Sequence, residues 1–333
     1  RYSRVTGVQT CALPIWHFNL DMTYYRSYTR NQTFSPQISI GSGYSDWKVQ
    51  SGNVLNQGVE LALGYTNTWS DFSWSSNFTL SINRNRILSL AGRIYNPEAN
   101  EYISVDQLDM NGLGQAHFIL KEGGTLGDLY SLIDLKYDDN GRYYINEEGT
   151  IPTETIKNSS EYVKLGSVLP DANLSWRNDF RWKNLSFGFM VSARLGGVAF
   201  SRTQALLDYY GVSEASAAAR DAGGVRINGG DVMDANSWYS AIGGGTSVPQ
   251  YYTYSATNVR LQEASIGYTI PRKKLGDVCE ITLSLVGRNL WMIYNKAPFD
   301  PESVATTGNY YQGIDYFMMP SLRNVGFNLR LKF

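Results

Sequence analysis

The run Ser321-Leu322-Arg323-Asn324-Val325-Gly326-Phe327-Asn328-Leu329-Arg330-Leu331-Lys332-Phe333 decides how this chain folds. Val325, Phe327, Leu329, Leu331 and Phe333 alternate with Gly326, Asn328, Arg330 and Lys332, so an extended strand here has one apolar and one charged face. The same period recurs upstream. Phe18, Leu20, Met22 and Tyr24 oppose Asn19, Asp21, Thr23 and Tyr25, and Val59, Leu61, Leu63 and Tyr65 oppose Glu60, Ala62, Gly64 and Thr66. Phe72, Trp74, Phe78, Leu80 and Ile82 form a third apolar row, broken only at Ser76. That row covers about eleven residues, enough for a tilted strand to cross a bilayer. Strands of soluble folds mostly stop at about five or six.

Four more strands follow. Leu174, Trp176, Phe180 and Trp182 lead through a turn at Lys183-Asn184 into Leu185, Phe187, Phe189, Val191 and Ala193. Ala264, Ile266, Tyr268 and Ile270 mark the next, and Ile281, Leu283 and Leu285 the one before the final strand. Counting from Trp16, connections are long after the first, third, fifth and seventh strands and short after the others. Outer-membrane barrels join long extracellular loops to short periplasmic turns, which predicts a periplasmic C-terminus. Tyr65, Phe72, Trp74, Trp182, Phe187 and Tyr268 gather beside the short turns, where an interfacial girdle belongs.

Composition fits this reading. Lys plus Arg number 29 against 30 Asp plus Glu, a balance that gives no support to a nucleic-acid partner. Mean hydropathy is −0.30, and in a barrel only every second residue faces lipid, so the average stays low. Residues 5–15 resemble the in-frame translation of a common sequencing adapter, so roughly residues 1–15 are read as an artefact and set aside, with 16–333 expected to be the native segment. Residues 86–168 lack a long strand and are expected to fold as a surface excursion. Within them Asp138, Asn140 and Glu147 fall on calcium-loop positions, but Lys136 occupies the first, and Asn140-Gly141 reads instead as a type I′ hairpin turn. In the second long loop Ser213 to Ala222 suits a short helix. His17 is read on the polar face of the first strand. Two histidines and two cysteines offer no metal site, and no nucleophile elbow, His-based dyad or phosphate loop is present. The sequence therefore predicts no enzyme, cofactor or metal.

In their order and spacing, Asn56-Gln57-Gly58-Val59-Glu60-Leu61, Asn83-Arg84-Asn85-Arg86-Ile87-Leu88, Ile266-Gly267-Tyr268-Thr269-Ile270-Pro271, Gly287-Arg288-Asn289-Leu290 and Phe299-Asp300-Pro301-Glu302 resemble the C-terminal barrel of SusC/RagA-type TonB-dependent transporters of Bacteroidetes. The resemblance implies an all-β, antiparallel transmembrane β-barrel fragment: about eight C-terminal strands of a 22-stranded barrel, with plug, TonB box and earlier strands missing. It also implies a SusD-type surface lipoprotein and the TonB complex as partners, beside outer-membrane lipid.

The expected function is TonB-dependent import of nutrient oligomers such as glycans or peptides. A passive porin-like channel and a surface adhesion or structural β protein are the alternatives. Ligand candidates are the loop aromatics Tyr209, Tyr210, Trp238, Tyr239, Tyr251, Tyr252, Tyr310, Tyr311 and Tyr316, whose faces suit stacking on sugars or holding peptides. The same residues could equally pack the loops together. Arg177, Asp179, Arg181, Glu263 and Arg288 are expected to face the lumen, and the Asp300–Glu302 pair is read as turn residues. The terminal Phe333 resembles a barrel-assembly signal.

Overall fold

The computed structural model describes residues 2–34, 48–96, 101–105, 107–245, 247–303 and 312–333. Nine strands form one antiparallel sheet in which each pairs with the next. They are β1 (Tyr2–Ile15), β2 (Phe18–Phe34), β3 (Val49–Trp69), β4 (Phe72–Ser89), β5 (Ala172–Trp182), β6 (Leu185–Leu195), β7 (Asn258–Ile270), β8 (Glu280–Asn295) and β9 (Asn324–Lys332). The sequence reading expected eight. The ninth, β1, is the segment it set aside, and it pairs along β2 from Tyr2↔Arg30 to Ile15↔Phe18.

The short connections all lie at one end of the sheet. Three are two-residue turns, at Trp16-His17, Ser70-Asp71 and Lys183-Asn184, closed by the pairs Ile15↔Phe18, Trp69↔Phe72 and Trp182↔Leu185. Their first residues, Trp16, Ser70 and Lys183, take φ values of 54°, 44° and 51°, the left-handed geometry tight hairpins need. His17 sits in the first of these turns rather than on a strand face, with Nδ1 3.0 Å from the Thr66 carbonyl.

The expected faces hold. Leu63, Trp176, Phe187, Ile266, Leu285 and Phe327 are all exposed on the apolar side, Phe327 by 71%. Among the described residues, the buried apolar cluster takes in these strands only at their far ends, through Phe34, Val54 and Ile87. Aromatic rings run across β2 to β6 near the short turns: Phe18 against Tyr65 (4.9 Å between centroids), Tyr65 against Trp74 (5.0 Å), Trp74 against Phe180 (6.2 Å) and Phe180 against Phe187 (6.2 Å). Two polar interruptions of this face, Ser76 and Asn178, are cross-strand partners, and a third, Asn67, lies near the turn end of β3 opposite Trp74. The Trp176 indole donates to Ser76 Oγ (3.0 Å) and the Trp74 indole to Asn178 Oδ1 (3.1 Å). Ser76 and Asn178 thus each accept the one polar hydrogen of a neighbouring ring.

The buried core belongs to the long connections instead. Phe118, Leu129, Leu135, Phe200, Ile242, Val248, Tyr252 and Ile314 come from three of them and pack as one cluster. Residues 107–167 contribute a four-stranded sheet made of Gln107–Leu113, Ala116–Lys121, Asp128–Ser131 and Val163–Ser167. The second connection holds three helices, α1 (Arg202–Tyr209), α2 (Glu214–Asp221) and α3 (Ala235–Gly243), with Ser201, Ser213 and Asp234 as N-caps. The expected helix is α2. The other two escaped the sequence reading because their aromatic and Gly-rich surroundings hid the cap residues. The turn at Asp138–Arg142 is a hairpin, but not type I′: only Gly141 has positive φ, and Asp138 exchanges backbone bonds with Gly141 (3.0 Å) and Arg142 (2.8 Å). This is the three-residue loop with glycine in the left-handed position.

Candidate functional site

On the polar face, four of the five expected charges form one chain. Arg177 makes a two-pronged contact with Asp179 (Nε–Oδ2 2.8 Å, Nη2–Oδ1 3.1 Å) and reaches Glu263 with its third nitrogen (3.3 Å). Glu263 then accepts from Arg288 Nε at 3.1 Å. Arg177 sits on β5 and Glu263 on β7, so the guanidinium crosses β6. Met190 of β6 lies in register between the two, and Gly188 leaves room for Asp179, since a Cβ there would lie 2.7 Å from its Oδ1. Arg181 shares this face, and no ion pair of it occurs among the described residues. The chain is half-exposed, so it orders the wall more than it stabilises it.

The loop aromatics divide by exposure. Tyr252 is 1% exposed and Trp238 9%. Trp238 stacks edge-on against Tyr143 (5.5 Å) and Tyr251 (5.6 Å), and the hydroxyls of Tyr143 and Tyr251 meet at 2.9 Å. Asn228 completes this docking of the first long connection on the second, accepting from the Tyr143 amide (2.9 Å) and donating to its carbonyl (3.0 Å). Burial pushes the Tyr251 and Tyr252 hydroxyls far above the ordinary phenol value, so both stay neutral. Tyr209, Tyr210 (71% exposed) and Tyr316 instead face outward, and Tyr239 is half-buried. Tyr310 and Tyr311 lie outside the described residues.

Three residues to which the sequence reading gave no role tie the long connections together. Arg202, at the start of α1, donates to the carbonyls of Gly243 (3.5 Å), Gly244 (3.2 Å) and Gly245 (2.9 Å), closing the C-terminus of α3. Ser201 bonds Asp315 at 2.5 Å, joining the second connection to the third. Arg260, 4% exposed on β7, pairs with Asp300 (2.9 Å) and Glu302 (3.1 Å). Asp300 also accepts from the Ser321 amide (3.3 Å), so both limbs of the last long connection are tied to one guanidinium. Asp300 and Glu302 are thus more than turn residues. Beside them Asn289, Trp291, Phe299 and Arg323 help to line a cavity of about 580 Å³.

The motifs noted in the sequence turn out to be fixings of the wall. Tyr25 lies over Gly58, where a Cβ would meet its hydroxyl at 2.5 Å, and donates to Asn83 (3.0 Å). Asn85 bridges Asn56 (2.7 Å) and the Leu126 amide (2.8 Å). Gly287 makes room for Leu290, and Asn289 (φ 51°) forms the bulge at which pairing between β8 and β9 stops. No cluster of three His, Cys, Asp or Glu that could hold a metal occurs among the described residues, and the Asp138 carboxylate is used by the amides of Asn140 and Arg142 (both 2.8 Å).

Comparison with known proteins fits this geometry. TonB-dependent receptor P3 of Formosa agariphila is 26% identical over 353 residues, which cover 94% of this chain and 32% of that protein. TonB-dependent receptor SusC of Bacteroides thetaiotaomicron is 23% identical over 259 residues, 74% of this chain and 23% of its own length. The RagAB peptide importer in its closed-closed state superposes with a TM-score of 0.68 at 16% identity, over 95% of this chain and 34% of that one. Over nearly its whole length this chain is similar to TonB-dependent receptors of the SusC/RagA type. It spans about a third of the length of the first curated relatives it matches. Those SusC/RagA-type relatives are receptors and transporters, not enzymes. No family model matches the chain.

Proposed function

We propose that this chain forms the C-terminal wall and extracellular cap of an outer-membrane importer that takes up nutrient oligomers, glycans or peptides, in a TonB-dependent manner. The observation that carries the reading is the sheet itself: a wide apolar face exposed on one side, a chain of ion pairs on the other, and, among the described residues, a buried apolar cluster confined to the long connections and the adjoining strand ends. Such a sheet is stable only with lipid outside and water or protein inside. On this reading residues 16–333 are the receptor's own, and residues 1–15 are foreign to it. The sheet is part of a closed 22-stranded barrel, the short turns and Phe333 are periplasmic, and Arg177, Asp179, Arg181, Glu263 and Arg288 line the lumen.

A SusD-type lipoprotein and the TonB complex are the partners, as the kinship with SusC and RagAB supports. Phe333 serves assembly. The outward Tyr209, Tyr210 and Tyr316, with the half-buried Tyr239, are the ligand-contacting aromatics, while Trp238, Tyr251 and Tyr252 hold the long connections together. Uptake measured with the complete receptor in cells, with and without a protonophore, tests the mechanism. Loss of uptake on collapse of the proton gradient is expected, and gradient-independent flux would replace the importer with a passive channel.

A further inference from the structure

The apolar face does not extend the full length of its strands. In β2, β3 and β4 the register is unbroken from Phe18↔Tyr65 to Thr29↔Val54 and from Trp69↔Phe72 to Val54↔Ile87, so strict alternation fixes which side chains point outward. Outward positions run Phe72, Trp74, Ser76, Phe78, Leu80 and Ile82 on β4, and then Arg84 and Arg86. At about 3.4 Å per residue and a tilt near 40°, the ten steps from Phe72 to Ile82 rise roughly 26 Å, the height of a lipid-facing band. The cations therefore begin where the hydrocarbon ends.

Arg84 is opposite Gln57, and Gln57 is opposite Arg26, so the two arginines sit about 10 Å apart in one outward row. The next row holds Arg86, Leu55 and Tyr28, and Arg26 lies over the Tyr28 ring at 5.0 Å. All three arginines are exposed. Asp171 pairs with Arg84, and the outward positions of β2, β3 and β4 carry no Asp or Glu. The opposite end of the same apolar rows has no such group: the aromatic rings there lead straight into turns.

We propose that Arg26, Arg84 and Arg86 form a binding site for the phosphate headgroup of an outer-leaflet glycolipid of the lipid A kind, whose acyl chains lie on the apolar rows below. Arginine forks suit phosphate oxygens, and the adjoining Tyr24 and Tyr28 rings offer faces to a sugar. The site rests on the outer-membrane reading, since it requires the long connections to be extracellular.

Native mass spectrometry of the detergent-solubilised protein tests it, with diphosphoryl lipid A, its dephosphorylated form and inorganic phosphate as probes. Retention of diphosphoryl lipid A is expected to exceed that of the dephosphorylated form, and to fall about tenfold or more in R26Q/R84Q/R86Q while R142Q behaves as wild type. R86Q alone gives a smaller loss in the same direction and serves if the triple variant misfolds. Equal retention by variant and wild type overturns the site, and displacement by millimolar inorganic phosphate reassigns it to a free anion. Heat-modifiable gel migration of the same wild-type sample reports on the membrane reading separately: without it that reading falls, whereas with it and no lipid preference only the glycolipid site falls.

Discussion

Replacing Arg260 by methionine is expected to destabilise the protein by about 3 kcal/mol, through the charge it leaves behind. The Arg260 side chain is 4% exposed and its partner Asp300 7%, so neither is much screened by water. Removing one member of such a pair costs about 3–5 kcal/mol. The lower end applies because Asp300 keeps two amide donors, from Ser321 at 3.3 Å and Glu302 at 3.1 Å. Glu302 is 39% exposed and its share is small. Burial alone would raise the Asp300 carboxyl, but the Ser321 amide and the Arg260 guanidinium outweigh it and hold it below the ordinary carboxylate range.

The pH dependence follows from these signs. In the wild type this depressed group adds stability that is complete above the unfolded carboxylate value, about 3.9, and is lost as pH falls through the folded one. In R260M the guanidinium's contribution is gone, so the folded value lies above that of the wild type. Its destabilisation is then largest above that raised value and shrinks as the medium is acidified through it. Urea unfolding in lipid vesicles, followed by tryptophan fluorescence between pH 4 and 8, reads both effects, and R260M/D300N should recover most of the loss. A cost for R260M under about 1 kcal/mol, or a double variant no better than the single, would refute the argument.

Three further outcomes are expected. Asn178→Leu strands the Trp74 indole hydrogen on the apolar face and should cost about 1–2 kcal/mol in the same unfolding assay, with most of it regained in W74F/N178L. Gly58→Ala places a Cβ 2.3 Å from the Ile82 carbonyl as well as against Tyr25, so a loss of about 1–3 kcal/mol should persist even in a Tyr25→Ala background, where only the side-chain clash is relieved. Burial first, and Asp208 nearby, push the Tyr254 hydroxyl up to about 12. A raised folded value means that stability is complete below the unfolded phenol value of about 10 and declines from there to about 12, so the cap should loosen over that interval, as backbone amide exchange or protease sensitivity would report.

Strand existence and facing were legible because alternation is a local signal. Strand length was not. β4 was read to about Asn83 and continues to Ser89, since beyond Ile82 the outward residues turn from apolar to cationic and the pattern dissolves while the pairing goes on. The charged residues of the polar face were legible one by one, but the reach of Arg177 across β6 to Glu263 depends on the pairing register and on the room Gly188 leaves for Asp179, which no reading of β5 alone contains. The aromatic candidates shared one composition signal, and packing split them: Trp238 and Tyr252 inward, Tyr210 outward. Arg260 drew no notice because an isolated arginine at a strand end has no pattern, and its carboxylate partners lie forty residues away, at Asp300 and beyond.

The indoles of Trp74 and Trp176 bond to Asn178 and Ser76 rather than outward. Belt tryptophans commonly anchor a membrane protein at a set depth by bonding to headgroups. In this sector two of them are already satisfied within the sheet, so the depth setting falls to the rings at the turns, Trp69 and Trp182. A bilayer that thins or thickens would re-wet those outer rings while leaving the inner bonds intact. On the proposed outer-membrane reading, this part of the wall is thus built to float, keeping its shape while the membrane around it changes thickness.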